Sequence, residues 1–286
     1  MTDEQKVTVT YFHHSGFMVG CDDTLMIFDY WRGEHNEISG ELSLSEADFK
    51  GYKQVLFFIS HEHPDHYDRV VYDFKHLNYV HYIISWDMPE EAYGDRMAVG
   101  DKRVYGAAEV TAYASTDLGV SFYVEVGGLH IFHAGDLNLW HWREESTLRQ
   151  ITQAENLYYN AVKPLVGKPI DVCMFPVDPR MGGLYDAGAN YFVMAVKPRL
   201  FIPMHWQGKP EVATGFARKG RTRYTEILAL TRPGEQAQLE FDGNFLHINT
   251  FSVMPEVKDD ADDADLQLDA FSSNDPFINT DLPVKL

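Results

Sequence analysis

The sequence has few cysteines, no long hydrophobic run and no apolar segment at its start, and each shortage excludes a class of protein. Its two cysteines, Cys21 and Cys173, lie far apart, so they form neither a Cys-x-x-Cys metal or redox site nor a disulfide framework. Because no stretch approaches the ~20 apolar residues that span a bilayer, we expect no membrane partner. The segment Met1–Lys6 is polar and lacks the apolar core of a secretory signal. We therefore expect a soluble, cytoplasmic protein.

Basic side chains are also scarce: 24 Lys and Arg stand against 43 Asp and Glu, a formal net charge of −19. A field of this sign repels phosphate backbones, so we expect no nucleic-acid partner. Residues 1–255, rich in apolar and aromatic side chains, are expected to form one globular domain. Residues 256–286 hold nine acidic residues and two lysines without periodicity, which predicts an acidic, mobile tail. Phe271 and Phe277 leave open that this tail docks on the body or on a second subunit of a homo-oligomer.

The central motif is a short apolar run that ends in histidines. Val55–Ile59 predicts a buried strand, because the run is too short for an ordinary helix. Pro64 has no N–H to give to a sheet, so the strand is expected to end in a turn. Such a turn gathers three imidazoles and a carboxylate, which are the ligands that zinc or iron prefers. We predict a metal site that includes His61, His63, Asp65 and His66.

Two later segments also place a metal-binding side chain just after a short strand. Ile131–His133 is followed by Gly135, which permits a tight turn, and by Asp136. The apolar segment 201–204 leads directly into His205. Strand-terminal Asp and His are common singly, but together with the first motif they predict that His66, Asp136 and His205 converge on a shared cation.

The motif His-x-His-x-Asp-His after a hydrophobic strand resembles that of the metallo-β-lactamase superfamily of hydrolases. The matches at Asp136 and His205 follow in the expected order, so the resemblance covers roughly residues 5–250. It implies an α+β fold, the αββα sandwich of the metallo-β-lactamase type, in a single domain. The sequence pattern agrees, because strand-like stretches with helical segments in both halves favour two sheets covered by helices. From the apolar spacing we predict helices at 67–77, 144–166, 187–196 and 211–230, the last broken at Gly215 and Gly220.

The resemblance also implies how the ligands divide between two metals. The first metal is usually held by the residues matching His61 and His63 with one further histidine. The second is usually held by the residues matching Asp65, His66, Asp136 and His205. Asp29 resembles an aspartate that commonly braces the metal loop. The further histidine is missing here, since residues 111–120 contain none.

Three arrangements could compensate for the missing histidine. Asp117 could supply an oxygen ligand, although it could equally cap a turn. His14 could lean over the site as a ligand or substrate contact, or could be a hydrogen-bonded loop residue. Alternatively, the protein could use one metal, with His61 and His63 as weak ligands. We expect the second metal position to be filled and the first to be weaker or empty.

The predicted chemistry is hydrolysis. A divalent ion polarises the bond under attack and lowers the pKa of a bound water to about 7. We therefore expect cleavage of an ester, lactone or phosphodiester bond in a small-molecule substrate, with one or two divalent ions and zinc favoured over manganese or iron. Asp65 is expected to bind metal in a two-metal arrangement, and could orient or deprotonate the attacking water in a one-metal arrangement. Two alternatives stay open: a metal-binding protein of this fold without turnover, and a nuclease, which the acidic charge disfavours.

Residues beyond the ligands suggest how a substrate is held. Arg180 could bind a carboxylate or phosphate through its fork of donors, or form a surface salt bridge. Trp140–Trp142 predicts an aromatic wall at the site mouth, with ordinary packing as the alternative. Within the superfamily, Val120–Phe122 and His133–Asp136 look most like predicted metal-dependent hydrolases related to L-ascorbate-6-phosphate lactonase.

Overall fold

The computed structural model describes residues 5–142, 145–243 and 245–252. Within these ranges the strands are, in chain order, β1 (Gln5–Tyr11), β2 (Phe17–Cys21), β3 (Thr24–Phe28), β4 (Gln54–Ile59), β5 (Val80–Ser85), β6 (Asp95–Met97), β7 (Lys102–Tyr105), β8 (Ala108–Ala114), β9 (Val120–Val126), β10 (Leu129–His133), β11 (Val172–Pro176), β12 (Leu200–Met204), β13 (Glu226–Ile227), β14 (Gln236–Phe241) and β15 (Leu246–Ser252). The α-helices are α1 (Leu148–Val162), α2 (Ala187–Ala195) and α3 (Pro210–Gly220). Short 3₁₀ helices lie at Gly40–Leu42, Glu46–Phe49, Arg69–Phe74, Lys163–Leu165 and Pro179–Leu184.

The strands form two mixed sheets. The first has the order β15-β14-β1-β2-β3-β4-β5-β6, and the second β13-β12-β11-β10-β9-β8-β7. Strands β3 to β6 run parallel to one another, with Phe28 of β3 opposite Phe58 of β4. Strands β10 to β13 are likewise parallel, and the other pairs are antiparallel. Each sheet therefore has a parallel half whose carboxyl ends share one edge.

The two faces of β4 show how the layers are held together. Phe58 points between the sheets and packs on Phe122 of β9, with ring centroids 5.2 Å apart. Phe57 points outward and stacks on Phe74 of a 3₁₀ helix at 6.0 Å. Because both faces are buried, β4 is a continuous apolar run and not an alternating one. Burial of each such ring stabilises the fold by about 1.5–3 kcal/mol.

The α-helices cover the outer face of the second sheet. Phe192 of α2 stacks on Phe132 of β10 at 5.5 Å, and Phe216 of α3 packs on Phe201 of β12 at 5.4 Å. Tyr158 of α1 donates a hydrogen bond to the Gly188 carbonyl of α2 at 2.6 Å. None of the described helices has both the length and the apolar character needed to cross a bilayer.

The predicted four-layer sandwich is confirmed, with local differences. A helix was predicted at 67–77, but the chain forms the shorter 3₁₀ helix Arg69–Phe74. Asp68 caps its N-terminus, and the Asp68 carboxylate accepts a hydrogen bond from the Val70 N–H at 3.1 Å. The predicted break at Gly215 is wrong, since α3 runs unbroken to Gly220. Strands β6, β13 and β14 were not predicted, and β13 lies within 211–230, where the sequence predicted a helix. The predicted acidic tail, 256–286, lies outside the described residues.

Candidate metal centre

The carboxyl ends of the parallel strands meet at one edge, and the predicted ligands lie there. The loop after β4, the turn after β10 and the turn after β12 each bring ligands to this edge, and the turn between β1 and β2 adds one more. Together these segments supply His14, His61, His63, Asp65, His66, Asp136 and His205. Because β1 is antiparallel to β2 and β2 to β3, the β1–β2 turn lies on the same side as the end of β3.

The seven side chains fall into two groups, and in each group the potential ligand atoms all lie within 4.8 Å of one another. We call His14, Asp65, His66 and His205 the four-residue group. His61, His63 and Asp136 are the three-residue group. The structure thus brings together all six residues predicted as ligands and adds His14. Asp117 is exposed and belongs to neither group.

Asp136 lies between the two groups. Its Oδ2 is 3.4 Å from His61 Nε2, while its Oδ1 is 3.1 Å from His66 Nε2 and 3.3 Å from His205 Nε2. A cation in either group would therefore meet a carboxylate oxygen of the same residue. This geometry suits a carboxylate shared by two metals, whereas the ligand division that the resemblance implied placed Asp136 with the second metal.

The donor atoms have the character of a metal site. His14 Nε2, His61 Nε2, His66 Nε2, His205 Nε2 and Asp136 Oδ1 are buried and have no hydrogen-bond partner among the described residues. Buried polar atoms are normally paired, because an unpaired one costs about 1–3 kcal/mol. Imidazole nitrogens and a carboxylate that converge unpaired fit a divalent cation. The residues present therefore fit one or two such ions.

Asp29 and Ser60 fix the orientation of two imidazoles. Asp29, fully buried just after β3, accepts hydrogen bonds from His66 Nδ1 at 2.7 Å, from the Ser60 hydroxyl at 2.6 Å and from the Ser60 N–H at 2.8 Å. The Ser60 hydroxyl oxygen in turn lies 2.8 Å from His61 Nδ1 and accepts a hydrogen bond from it, since the hydroxyl proton is donated to Asp29. With their Nδ1 atoms occupied, both imidazoles are left with Nε2 as the atom that can bind a cation. Gly135 contacts the same Ser60, and a Cβ at this position would lie 2.8 Å from the serine Cβ.

Asp178 fixes the orientation of the His205 imidazole, as Asp29 fixes that of His66. It follows β11, is fully buried, and accepts a hydrogen bond from His205 Nδ1 at 2.8 Å. It also accepts from Arg180, with Nη2 at 2.6 Å and Nε at 2.9 Å. Sequence reasoning did not find this role for Asp178. The available signal was its position shortly after a buried parallel strand, similar to that of Asp29 after β3.

Three residues at the site adopt left-handed backbone conformations. The φ angles are +55° at His14, +41° at Asp29 and +59° at His205. For residues other than glycine this costs roughly 1–3 kcal/mol each, and such strain concentrates at functional sites. The His205 N–H donates to the His14 carbonyl at 3.1 Å, so the two turns support each other across the sheets.

The electrostatics favour a cation. Burial lowers the pKa of His14 to about 3, and electrostatic interaction with the His205 imidazole contributes, so His14 is neutral near pH 7. Burial disfavours charge on His66, but the carboxylates of Asp136 and Asp29 outweigh it and hold the His66 pKa well above its usual value. Burial raises the pKa of Asp136, yet His66 and His205 hold it well below its usual range. In the metal-free chain the His66 proton supplies the positive charge that a divalent ion provides when it binds.

An aromatic recess borders the four-residue group. Trp140 packs edge-on against His205, with ring centroids 5.9 Å apart, and stacks on Trp142 at 6.4 Å. Both indole N–H groups donate hydrogen bonds, that of Trp140 to the Asp136 carbonyl at 2.7 Å and that of Trp142 to the Arg180 carbonyl at 3.0 Å. These rings, with Thr116, Asp117 and Arg180, line a recess of about 240 Å³. The predicted aromatic wall thus lies beside the metal centre.

Replacing Asp178 with asparagine is expected to weaken zinc binding by about 10–100-fold, because the His205 tautomer is no longer fixed by a carboxylate. Competition with a chromophoric chelator measures this affinity. Arg180→Gln is the matched control, because it breaks the ion pair but keeps the Asp178–His205 bond. Equal weakening in both variants would show that the ion pair, and not the orientation of His205, supports the site.

Comparison of the sequence with known proteins finds metal-dependent hydrolases and a matching family model. A family model described as a beta-lactamase superfamily domain matches residues 8–205. The chain is 26% identical over 258 residues to the UPF0173 metal-dependent hydrolase of Opitutus terrae, covering 81% of this chain and 99% of that protein. It is 31% identical over 152 residues to the UPF0173 metal-dependent hydrolase of Symbiobacterium thermophilum, covering 49% of this chain and 59% of that protein.

Two solved structures share the fold. One is Igni18, a metallo hydrolase from Ignicoccus hospitalis, with a TM-score of 0.58, 20% identity, and coverage of 82% of this chain and 99% of that one. The other is CmlA, a diiron β-hydroxylase from Streptomyces venezuelae, with a TM-score of 0.53, 14% identity, and coverage of 84% and 55%. At these identities the likeness concerns the fold alone. Because the family model spans more than half of the chain and the fold agrees, the chain belongs to the metallo-β-lactamase superfamily.

Proposed function

We propose that this protein is a metal-dependent hydrolase of a small molecule. The observation that carries the proposal is the convergence of three unpaired, buried imidazole nitrogens, those of His61, His66 and His205, on the shared carboxylate of Asp136. The relatives from Opitutus terrae and Symbiobacterium thermophilum are both named metal-dependent hydrolases, which supports the proposal. We further propose a cytoplasmic location, and a homo-oligomer stays an open proposal.

The residues divide the chemical work. A divalent ion, when bound, polarises the bond under attack and acidifies water. The imidazoles of both groups would hold the ion, and Asp29, Ser60 and Asp178 hold those of His66, His61 and His205 in the tautomer that can bind it. Burial raises the pKa of Asp65, but the His14 contact and the charge of His66 outweigh it, so the pKa of this carboxyl lies well below its usual range. A carboxylate of such low basicity is a weak proton acceptor, so we propose that Asp65 binds metal and orients the attacking water.

Zinc is the ion we propose, with iron or manganese as alternatives. Three histidines and one carboxylate in the four-residue group suit tetrahedral zinc. The diiron chemistry named for CmlA keeps iron in consideration, because that protein has the same fold. One or two ions per chain are both compatible with the two groups.

The recess favours an uncharged substrate. Arg180 is the basic side chain that lines it among the described residues, and its charge is already paired with Asp178. Asp117, in the same lining, adds an acidic group. Flat aromatic faces without a spare positive charge suit an apolar ester or lactone better than a phosphodiester. The link to L-ascorbate-6-phosphate lactonase stays a prediction, and the paired Arg180 argues against a phosphorylated substrate.

Zinc-loaded protein is expected to hydrolyse 2-naphthyl acetate at least about tenfold more efficiently than bis(p-nitrophenyl) phosphate, because the aromatic recess suits an uncharged substrate. A tenfold difference in kcat/KM corresponds to about 1.4 kcal/mol of transition-state stabilisation. The comparison uses kcat/KM at equal metal content. Chelation should abolish both rates and zinc should restore them. No turnover of esters, lactones or phosphodiesters by loaded protein would favour the metal-binding alternative without catalysis. A preference for the phosphodiester would reopen the nuclease alternative.

A further inference from the structure

We propose that His14 is a metal ligand, which makes the four-residue group the tight, closed metal position and leaves the three-residue group as the open one. This inference rests on the proposed function in so far as both require metal at this edge. It goes further because it assigns different tasks to the two positions.

The side chain of His14 is placed as a ligand would be. Its ring centroid lies 4.0 Å from that of His205 and 5.5 Å from that of His66. Its Nε2 is 3.2 Å from Asp65 Oδ2. That contact lacks hydrogen-bond geometry, so Nε2 has no hydrogen-bond partner among the described residues. An unpaired, buried nitrogen aimed at three other ligand atoms is what a cation needs from a fourth ligand.

The turn that carries His14 is built to hold it in place. The Gly16 N–H donates to the His13 carbonyl at 2.7 Å, and the Phe12 N–H donates to the Gly16 carbonyl at 2.9 Å. These bonds close a tight turn in which His14 takes its left-handed conformation. Trp31 packs edge-on against the imidazole at 5.6 Å.

Burial separates this role from a substrate contact. The His14 side chain is 5% exposed, whereas that of Asp65 is 34% exposed. A substrate that arrives from solvent therefore reaches Asp65 and hardly touches His14. Its depth matches that of His66 and His205, with side-chain exposures of 0% and 1%.

Counting ligands then distinguishes the two positions. The four-residue group offers four protein ligands in addition to the shared Asp136 oxygen, so protein alone can complete its coordination, as in structural zinc sites. The three-residue group has three protein ligands and keeps a coordination place for water or substrate, as in catalytic sites. The histidine missing from 111–120 lowers the ligand count of the three-residue group, and Asp117 does not replace it, being exposed and outside the group.

The test is zinc titration of the metal-depleted full-length chain against a chromophoric chelator. Wild-type protein is expected to show one tight and one weaker class of sites. His14→Asn, chosen because asparagine tolerates the left-handed backbone, should weaken the tight class by at least about tenfold and leave the weaker class unchanged. His13→Asn is the matched control, since it changes the neighbouring histidine, which belongs to neither group. It should leave both classes unchanged.

Two further measurements make the result decisive. His14→Asp should bind zinc more tightly than His14→Asn, because a carboxylate is also a zinc ligand and aspartate, like asparagine, tolerates the left-handed backbone. The visible absorption of Co²⁺-loaded protein should change on His14→Asn and not on His13→Asn, since it reports the ligand set directly. Tight zinc binding that is equal in wild type and His14→Asn would overturn the assignment of His14 while the hydrolase proposal stands. Wild-type protein that binds no zinc, Co²⁺, Mn²⁺ or Fe²⁺ would overturn both.

Discussion

Replacing Asp136 with asparagine is expected to remove metal from both groups and to reduce hydrolysis by about 10³-fold or more. The reason is that one carboxylate faces His61 through Oδ2 and His66 and His205 through Oδ1. Asparagine keeps the size of the side chain but loses the negative charge. The lost stabilisation of transition-state charge is several kcal/mol, and each 1.4 kcal/mol corresponds to about a factor of ten in rate.

Elemental analysis of the purified variant, together with its kcat/KM, tests this expectation. Asp117→Asn is the matched control for metal content, because Asp117 is an exposed carboxylate outside both groups. It should keep the wild-type zinc content. Full zinc stoichiometry in Asp136→Asn would refute the view that Asp136 is shared between the two groups.

The strand-end motifs made most of this edge predictable. His61, Asp136 and His205 each follow a short apolar run, and parallel strands bring their carboxyl ends to one edge. Residue type and position after a strand were therefore sufficient to place them together. The layers were predictable for a similar reason, since an apolar run such as Val55–Ile59, without polar alternation, requires cover on both faces.

What the sequence could not show depends on turn geometry. His13 and His14 are adjacent and chemically identical, and only the left-handed conformation at His14 directs that imidazole to the site. Asp178 contacts His205 because β11 and β12 are parallel neighbours, a pairing that no local pattern reveals. The segment Arg69–Phe74 has helical spacing, yet forms a 3₁₀ helix on the first sheet, where Val71 and Phe74 are buried. Local propensity did not decide in these cases, because the packing partners come from distant parts of the chain.

Asp29→Ala is expected to destabilise the metal-free protein by about 3–5 kcal/mol, because it removes the partner of a buried, protonated histidine. The substitution leaves the Ser60 N–H, the Ser60 hydroxyl and His66 Nδ1 without their acceptor. Urea unfolding at pH 6 measures the loss. The matched control is Asp23→Ala, which removes an exposed ion pair with Lys53 and should cost no more than about 1 kcal/mol.

The pH dependence gives the same substitution a second, independent readout. Burial raises the pKa of Asp29, but the imidazoles of His133 and His66 outweigh it, so the folded pKa lies below the unfolded value of about 3.9. This stabilisation is present above pH ~4 and is lost as the pH falls through the folded pKa. The folded pKa of His66 is raised above about 6.5, so its contribution is present below that pH and is lost as the pH rises through the folded pKa. The Asp29 and His66 contributions are both fully present only between about pH 4 and 6.5, whereas His14, whose pKa is lowered to about 3, costs stability below pH 6.5 in wild type and variant alike. The difference in free energy of unfolding between metal-free wild type and Asp29→Ala should therefore be largest between about pH 4 and 6.5 and shrink on both sides. Two profiles of the same shape, offset by a constant free energy, would mean that Asp29 acts through packing and not through its charge.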